Sequence, residues 1–131
     1  MTSPRPVLIA ALCAAALALL VGVYFWPSED QSVERQLQDA AEAMRPFPRR
    51  IDEATEMVEA RAEGRRMTYV YRLLQDVPVE EERQRAALER TVCAAAPMRD
   101  ALREGVVFVY EYRGKDDPAQ VLARIEIARC P

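Results

Sequence analysis

The 131-residue chain has no histidine and no asparagine, and Lys115 is its single lysine among 18 basic residues. Without histidine the commonest general base and the commonest zinc ligand are both missing. A serine, threonine or cysteine nucleophile would therefore lack an imidazole partner. The arginine bias fits bidentate recognition of phosphate or carboxylate, but a GC-rich bacterial coding sequence is the simpler reading. Concentrated positive charge is also absent. Once Arg5 is set aside, 17 basic residues face 21 acidic ones, a formal charge of −4 for everything beyond the first apolar run. A nucleic-acid partner needs a basic footprint and is excluded on that ground.

What the chain does have is an uncharged run from Val7 to Trp26. At about 1.5 Å per helical residue such a run spans roughly the 30 Å of a bilayer core. It predicts a single transmembrane anchor over residues 1–27, with the lipid bilayer as its partner. Tyr24, Phe25 and Trp26 at its end read as an interfacial aromatic belt. A cleaved signal peptide fits less well, because bulky aromatics stand where small residues belong. Lipid modification at Cys13 fits less well again, since Leu12 precedes it. Arg5 lies before the run, whereas Glu29 and Asp30 follow it, so the positive-inside bias puts the N-terminus in the cytoplasm. The expected location is the inner membrane, single-pass, with a periplasmic C-terminal domain.

Cys93 and Cys130 could pair only in an oxidising compartment. A bridge between them would tie the last hairpin to a helix. The alternative is two free thiols in a reducing cytoplasm, which the anchor and its flanks disfavour. Cys13 is accommodated in the apolar run as a small hydrophobe.

Beyond the membrane, residues 28–46 read as a polar joint and an amphipathic helix, with Val33, Leu37, Ala40, Ala41 and Met44 on one stripe. That helix either continues a stalk or packs on the domain. Pro46 and Pro48 end it, leaving residues 47–131 as the globular part. There, residues 55–62 and 65–74 flank a Glu63-Gly64 turn, and the second run alternates with period two. Asp76-Val77-Pro78 with Glu80 to Glu82 predicts a helix start, the helix running to about Cys93. A short second helix, Met98 to Glu104, closes at Gly105. Strands over Val106–Tyr112 and Val121–Ala128 are joined by a polar turn. The fold class expected is α+β: two antiparallel hairpins forming a four-stranded sheet packed against helices.

Cys93, then Arg99-Asp100-Ala101-Leu102 leading to Gly105, Phe108-Val109-Tyr110-Glu111-Tyr112 and the terminal Cys130 resemble a group of small bacterial and prophage envelope proteins. Phe47-Pro48, Ile51-Asp52, Thr55 and Thr68-Tyr69-Val70-Tyr71 resemble the same pattern upstream. The group includes small lipoproteins, pilotin-like proteins and phage superinfection-exclusion proteins. The resemblance implies a periplasmic binding module and supplies no catalytic residue.

Three functions follow as expectations. The first is a tethered, non-catalytic interaction module that excludes superinfecting phage by occupying another envelope protein. The second is a pilotin-like accessory factor of an envelope or secretion assembly. The third is a carboxylate-dependent enzyme using Asp52 and Glu53, Glu80 to Glu82, or Asp116 and Asp117. These carboxylates have plainer roles at a helix start and in turns, and none shows the spacing of a calcium loop. No catalytic, metal or cofactor residue is assigned. For an interface, Tyr69, Tyr71, Tyr110 and Tyr112 with Arg72 and Arg113 are the candidates; the alternative is that these rings pack beneath the helices.

Overall fold

A computed structural model describes residues 29–131, and Ser32–Pro131 form one compact unit. The run expected to cross the membrane, Val7 to Trp26, lies outside the described residues. Among those residues no helix is long and apolar enough to cross a membrane.

The first helix, α1 (Glu29–Ala43), buries Val33, Leu37 and Ala41, a stripe repeating every four residues. That stripe joins the same core as the sheet, and Gln38 Nε2 donates to the Ala62 carbonyl at 2.8 Å. Strands β1 (Arg49–Arg50), β2 (Thr55–Glu63) and β3 (Arg66–Leu73) follow, then helices α2 (Glu81–Ala94) and α3 (Ala96–Arg103), then β4 (Val107–Arg113) and β5 (Val121–Ile127). The β2–β3 turn holds Gly64 at a φ of 59°, which favours glycine.

The sheet is five-stranded and mixed, in the order β1-β2-β3-β4-β5, which corrects the expected four-stranded antiparallel sheet. Both hairpins form, β2 with β3 and β4 with β5, but the strands that join them, β3 and β4, run parallel. The reason is topological. A parallel pair needs a long crossover, and α2 and α3 supply it. The extra strand, β1, is two residues long and pairs Arg49 with Met57 and Arg50 with Glu56.

The α2 start is a second correction. Pro78 does not open the helix; Val77 N–H closes on the Gln75 carbonyl at 3.0 Å, and residues 75–80 form a loop. Helix α2 begins with Glu81 and Glu82 in its first turn, where the macrodipole favours carboxylates. At the end of α3, Val106 N–H bonds to Ala101 and Gly105 N–H to Leu102, both at 3.0 Å, with Gly105 at a φ of 88°. This is the Schellman closure for which glycine is suited.

The helices cover one face of the sheet. On that face Met67 stands beside Phe108, Tyr69 beside Tyr110 and Tyr71 beside Tyr112, and Ile127, Ile125 and Ala123 complete the rows. Cys93 at the end of α2 is bonded to Cys130 just beyond β5, with a Cα–Cα distance of 5.8 Å. At the outer edge of β5, Arg85 Nη1 from α2 donates to the Glu126 carbonyl at 3.0 Å.

Candidate functional site

The tyrosines proposed for an interface lie under the helices. Tyr69, Tyr110 and Tyr112 are buried and Tyr71 is half-buried. Their rings form a continuous ladder, with centroids 5.1 Å apart for Tyr69–Tyr110, 6.3 Å for Tyr71–Tyr110 and 5.3 Å for Tyr71–Tyr112. The physical reason is register: parallel pairing of β3 with β4 sets every ring on the face where α1, α2 and α3 bury apolar side chains. Burial pushes the Tyr69 hydroxyl up to about 12. It also raises Tyr71 and Tyr110, where neighbouring tyrosines add to the effect. Tyr112 is raised by burial as well, although Gln84 Nε2, donating to its hydroxyl at 2.8 Å, acts in the other direction.

Arg72 and Arg113 lie on the opposite face, directly beside each other in register. Neither is brought to the tyrosine rings. Arg72 Nη2 pairs with Glu56 at 2.8 Å, and Arg113 Nη2 with the buried Glu111 at 2.6 Å. The same face carries further pairs, Arg61 meeting Glu59 and Glu63, and Glu126 held by Arg66 at 2.7 Å and Arg124 at 3.6 Å. The Arg66 guanidinium holds the Glu126 carboxyl below its usual range. On this face Val70 and Val109 are 1% and 0% exposed, although they fall outside the core cluster. Long arginine stems are suited to covering apolar surface in this way. A shallow depression of about 480 Å³ opens on this face between Phe47, Val58, Val70, Arg72 and Pro118. Arg72 Nε there has no partner, but the surrounding charges are matched in pairs.

Four of the carboxylates weighed as catalysts hold local structure. Asp52 accepts from Ala54 N–H at 2.8 Å and Asp117 from Ala119 N–H at 3.0 Å, both turn-forming bonds. Glu80 pairs with Arg83 at 3.1 Å and Glu81 with Arg85 at 3.6 Å along the start of α2. Among the described residues no group of three metal-ligating side chains converges.

The more distinctive surface is one end of the sheet. There the chain enters β2, leaves β3 and turns from β4 into β5, so the loop after β3 faces the β4–β5 turn. Between them lies a cleft of about 580 Å³ lined by Leu73, Asp76, Val77, Asp116, Asp117 and Leu122. A second, of about 410 Å³, lies on the other side of the same loop, between Asp52, Val79, Gln84 and Tyr112. The residues overlooked at the sequence level are Val77, read as part of a helix start, and Leu122, read as one more strand residue. Leu122 is the extra residue of a β-bulge: Tyr112 pairs with Ala123 and Arg113 with Val121. Bulges re-aim side chains, and no local sequence signal marks this one.

No protein-family model and no curated protein matches the chain. Solved structures do. A protein of Pseudomonas aeruginosa described as secreted is 19% identical over 77% of this chain and 93% of its own, with a TM-score of 0.62. The type II secretion system pilotin AspS of Vibrio cholerae is 16% identical over 76% of this chain and 92% of its own, with a TM-score of 0.60. The type 2 secretion system pilotin EpsS of Vibrio vulnificus is 10% identical over 75% of this chain and 89% of its own, with a TM-score of 0.64. The described domain therefore has the fold of these proteins. Of the group named from sequence, the similarity falls on the pilotin-like members and not on the superinfection-exclusion proteins.

Proposed function

We propose that this chain is a non-catalytic accessory factor of an envelope secretion assembly, a pilotin-like module that acts by binding another envelope protein. The observation that carries this reading is the shared fold with two type II secretion pilotins, over about nine-tenths of their length. The absence of histidine from the chain and the turn and ion-pair roles of Asp52, Glu80 and Asp117 support a binding role over an enzymatic one. Anchorage through Val7 to Trp26 completes the reading. A tethered domain meets its membrane neighbours at high effective concentration, so weak contacts suffice.

The test is deletion of the gene in its own host, followed by measurement of secreted protein. Loss of secretion, restored by the full chain, is the expected result. Unchanged secretion in the deletion strain would overturn the proposal.

A further inference from the structure

Four large apolar residues are exposed among the described residues, Ile51, Val77, Val121 and Leu122, at 50%, 42%, 48% and 40%. All lie at the same end of the sheet. Ile51 follows β1 and precedes β2, Val77 follows β3, and Val121 and Leu122 open β5. These segments are far apart in sequence, and the strand directions bring them all to one end, with Ile51 at the β1 edge, Val121 and Leu122 at the β5 edge, and Val77 and Leu122 lining one cleft. Two clefts flank Val77 there. Val77 and Leu122 share the first of these clefts, and contiguous exposed apolar surface marks an interaction site where single scattered residues do not. At Leu122 the exposure is built into the backbone, because the bulge takes that residue out of the ladder with Tyr112 and Arg113.

Charge selects the occupant. Around these apolar residues stand Asp52, Glu53, Asp76, Glu80, Asp116 and Asp117, against Arg50, Arg83 and Lys115, while Arg113 beside Val121 is neutralised by its pair with Glu111. Glu80 already pairs with Arg83, whereas among the described residues no ion pair engages Asp76 or Asp116. An anionic lipid surface would be repelled by this end. A second copy offering the same end would meet like charge. We infer that this end of the sheet docks an apolar segment of a partner protein carrying lysine or arginine at its flanks, the side chains entering beside Val77 and Leu122 and the cations meeting Asp76 and Asp116. The inference rests on the accessory-factor reading and names the chemistry of its partner.

The experiment uses the full chain in nanodiscs of zwitterionic lipid, with empty nanodiscs as the blank. Three fluorescent peptides serve as probes: one of leucine and lysine, one with glutamate in place of lysine, and one with serine in place of leucine. The leucine–lysine peptide is expected to bind best. Val77→Ser with Leu122→Ser should weaken it about tenfold, the scale of losing apolar anchors at an interface centre. Asp76→Asn with Asp116→Asn should weaken it about threefold at low salt and not at high salt. Equal binding of the glutamate peptide, equal binding by either double variant, or concentration-dependent self-association lost in the serine variant would overturn the inference. A complementation arm separates it from the proposal beneath it. If the wild-type chain restores secretion and the Val77→Ser, Leu122→Ser chain does so equally well, the docking site fails and the accessory role stands. If deletion has no effect on secretion, the accessory role fails and the peptide result decides whether the surface docks such a segment.

Discussion

Raising the pH should unfold this domain abruptly, because its tyrosine ladder cannot ionise in place. Tyr69, Tyr71 and Tyr110 have hydroxyls raised above the ordinary value of 10, chiefly by burial. Below about pH 10 the hydroxyls are protonated in both states and contribute nothing to the pH dependence. Above that, only the unfolded chain releases its protons, so stability falls as pH rises toward the folded values. At about pH 11 each such group favours unfolding by ~1.4 kcal/mol, or ~4 kcal/mol for the three together. That is a large share of the ~5–15 kcal/mol typical of a folded domain. Tyr112 adds to this, less the opposing effect of Gln84. The assay is an alkaline titration of the full chain carrying Tyr24→Phe, followed by far-UV circular dichroism and by tyrosinate absorbance. The two signals should change in one cooperative step above pH 11, by rough count of these ionisations. Gradual tyrosinate formation centred near pH 10, with the circular dichroism intact, would refute the reasoning.

Replacing Cys93 and Cys130 together by serine opens a connection of 37 residues and should cost about 4 kcal/mol in the chain-entropy account, seen as a lower thermal midpoint. Ile125→Ala, at a fully buried position, should cost about 2–5 kcal/mol in urea unfolding, whereas Val121→Ala on the same strand, 48% exposed, should stay within about 0.5 kcal/mol. Gly105→Ala should destabilise the domain by about 1 kcal/mol or more, measured the same way, because φ is 88° and the new Cβ would stand 3.4 Å from Arg65 Nη1.

Period-two alternation made both hairpins legible, because each of β3 and β4 sends aromatic residues to one side and mixed residues to the other. Which side was covered was not legible. Tyrosine is compatible with a core and with an interface, and the second face carries Thr68, Val70, Val109 and Glu111, all buried as well. Burial there depends on which strands stand alongside, Glu59 and Glu111 flanking Val70 and Thr68 and Glu126 flanking Val109, information that no local window contains. The parallel β3–β4 pairing has the same character, since the pattern within a strand does not name its neighbour. Strand β1 was hidden by its length and by Pro46 and Pro48 beside it. For the candidate site, the carboxylates were visible individually, but their convergence with Val77 and Leu122 follows from strand direction and a bulge.

The two outer strands bear on how densely this domain can be crowded. An open strand edge is a template on which identical neighbours can extend a sheet. Anchorage of the kind proposed above would make such encounters frequent. On one margin β1 is two residues long and covers only Glu56 and Met57 of β2, and further along β2 the Ala62 carbonyl is occupied by Gln38 Nε2. On the other, the Arg85 guanidinium occupies the Glu126 carbonyl, the position that an incoming amide would need, and Arg124 and Glu126 line the rest with charge. The protection stops short of Val121 and Leu122. Edge-to-edge pairing of copies is thereby hindered along most of β5, while the part of that margin next to the acidic clefts is left unblocked.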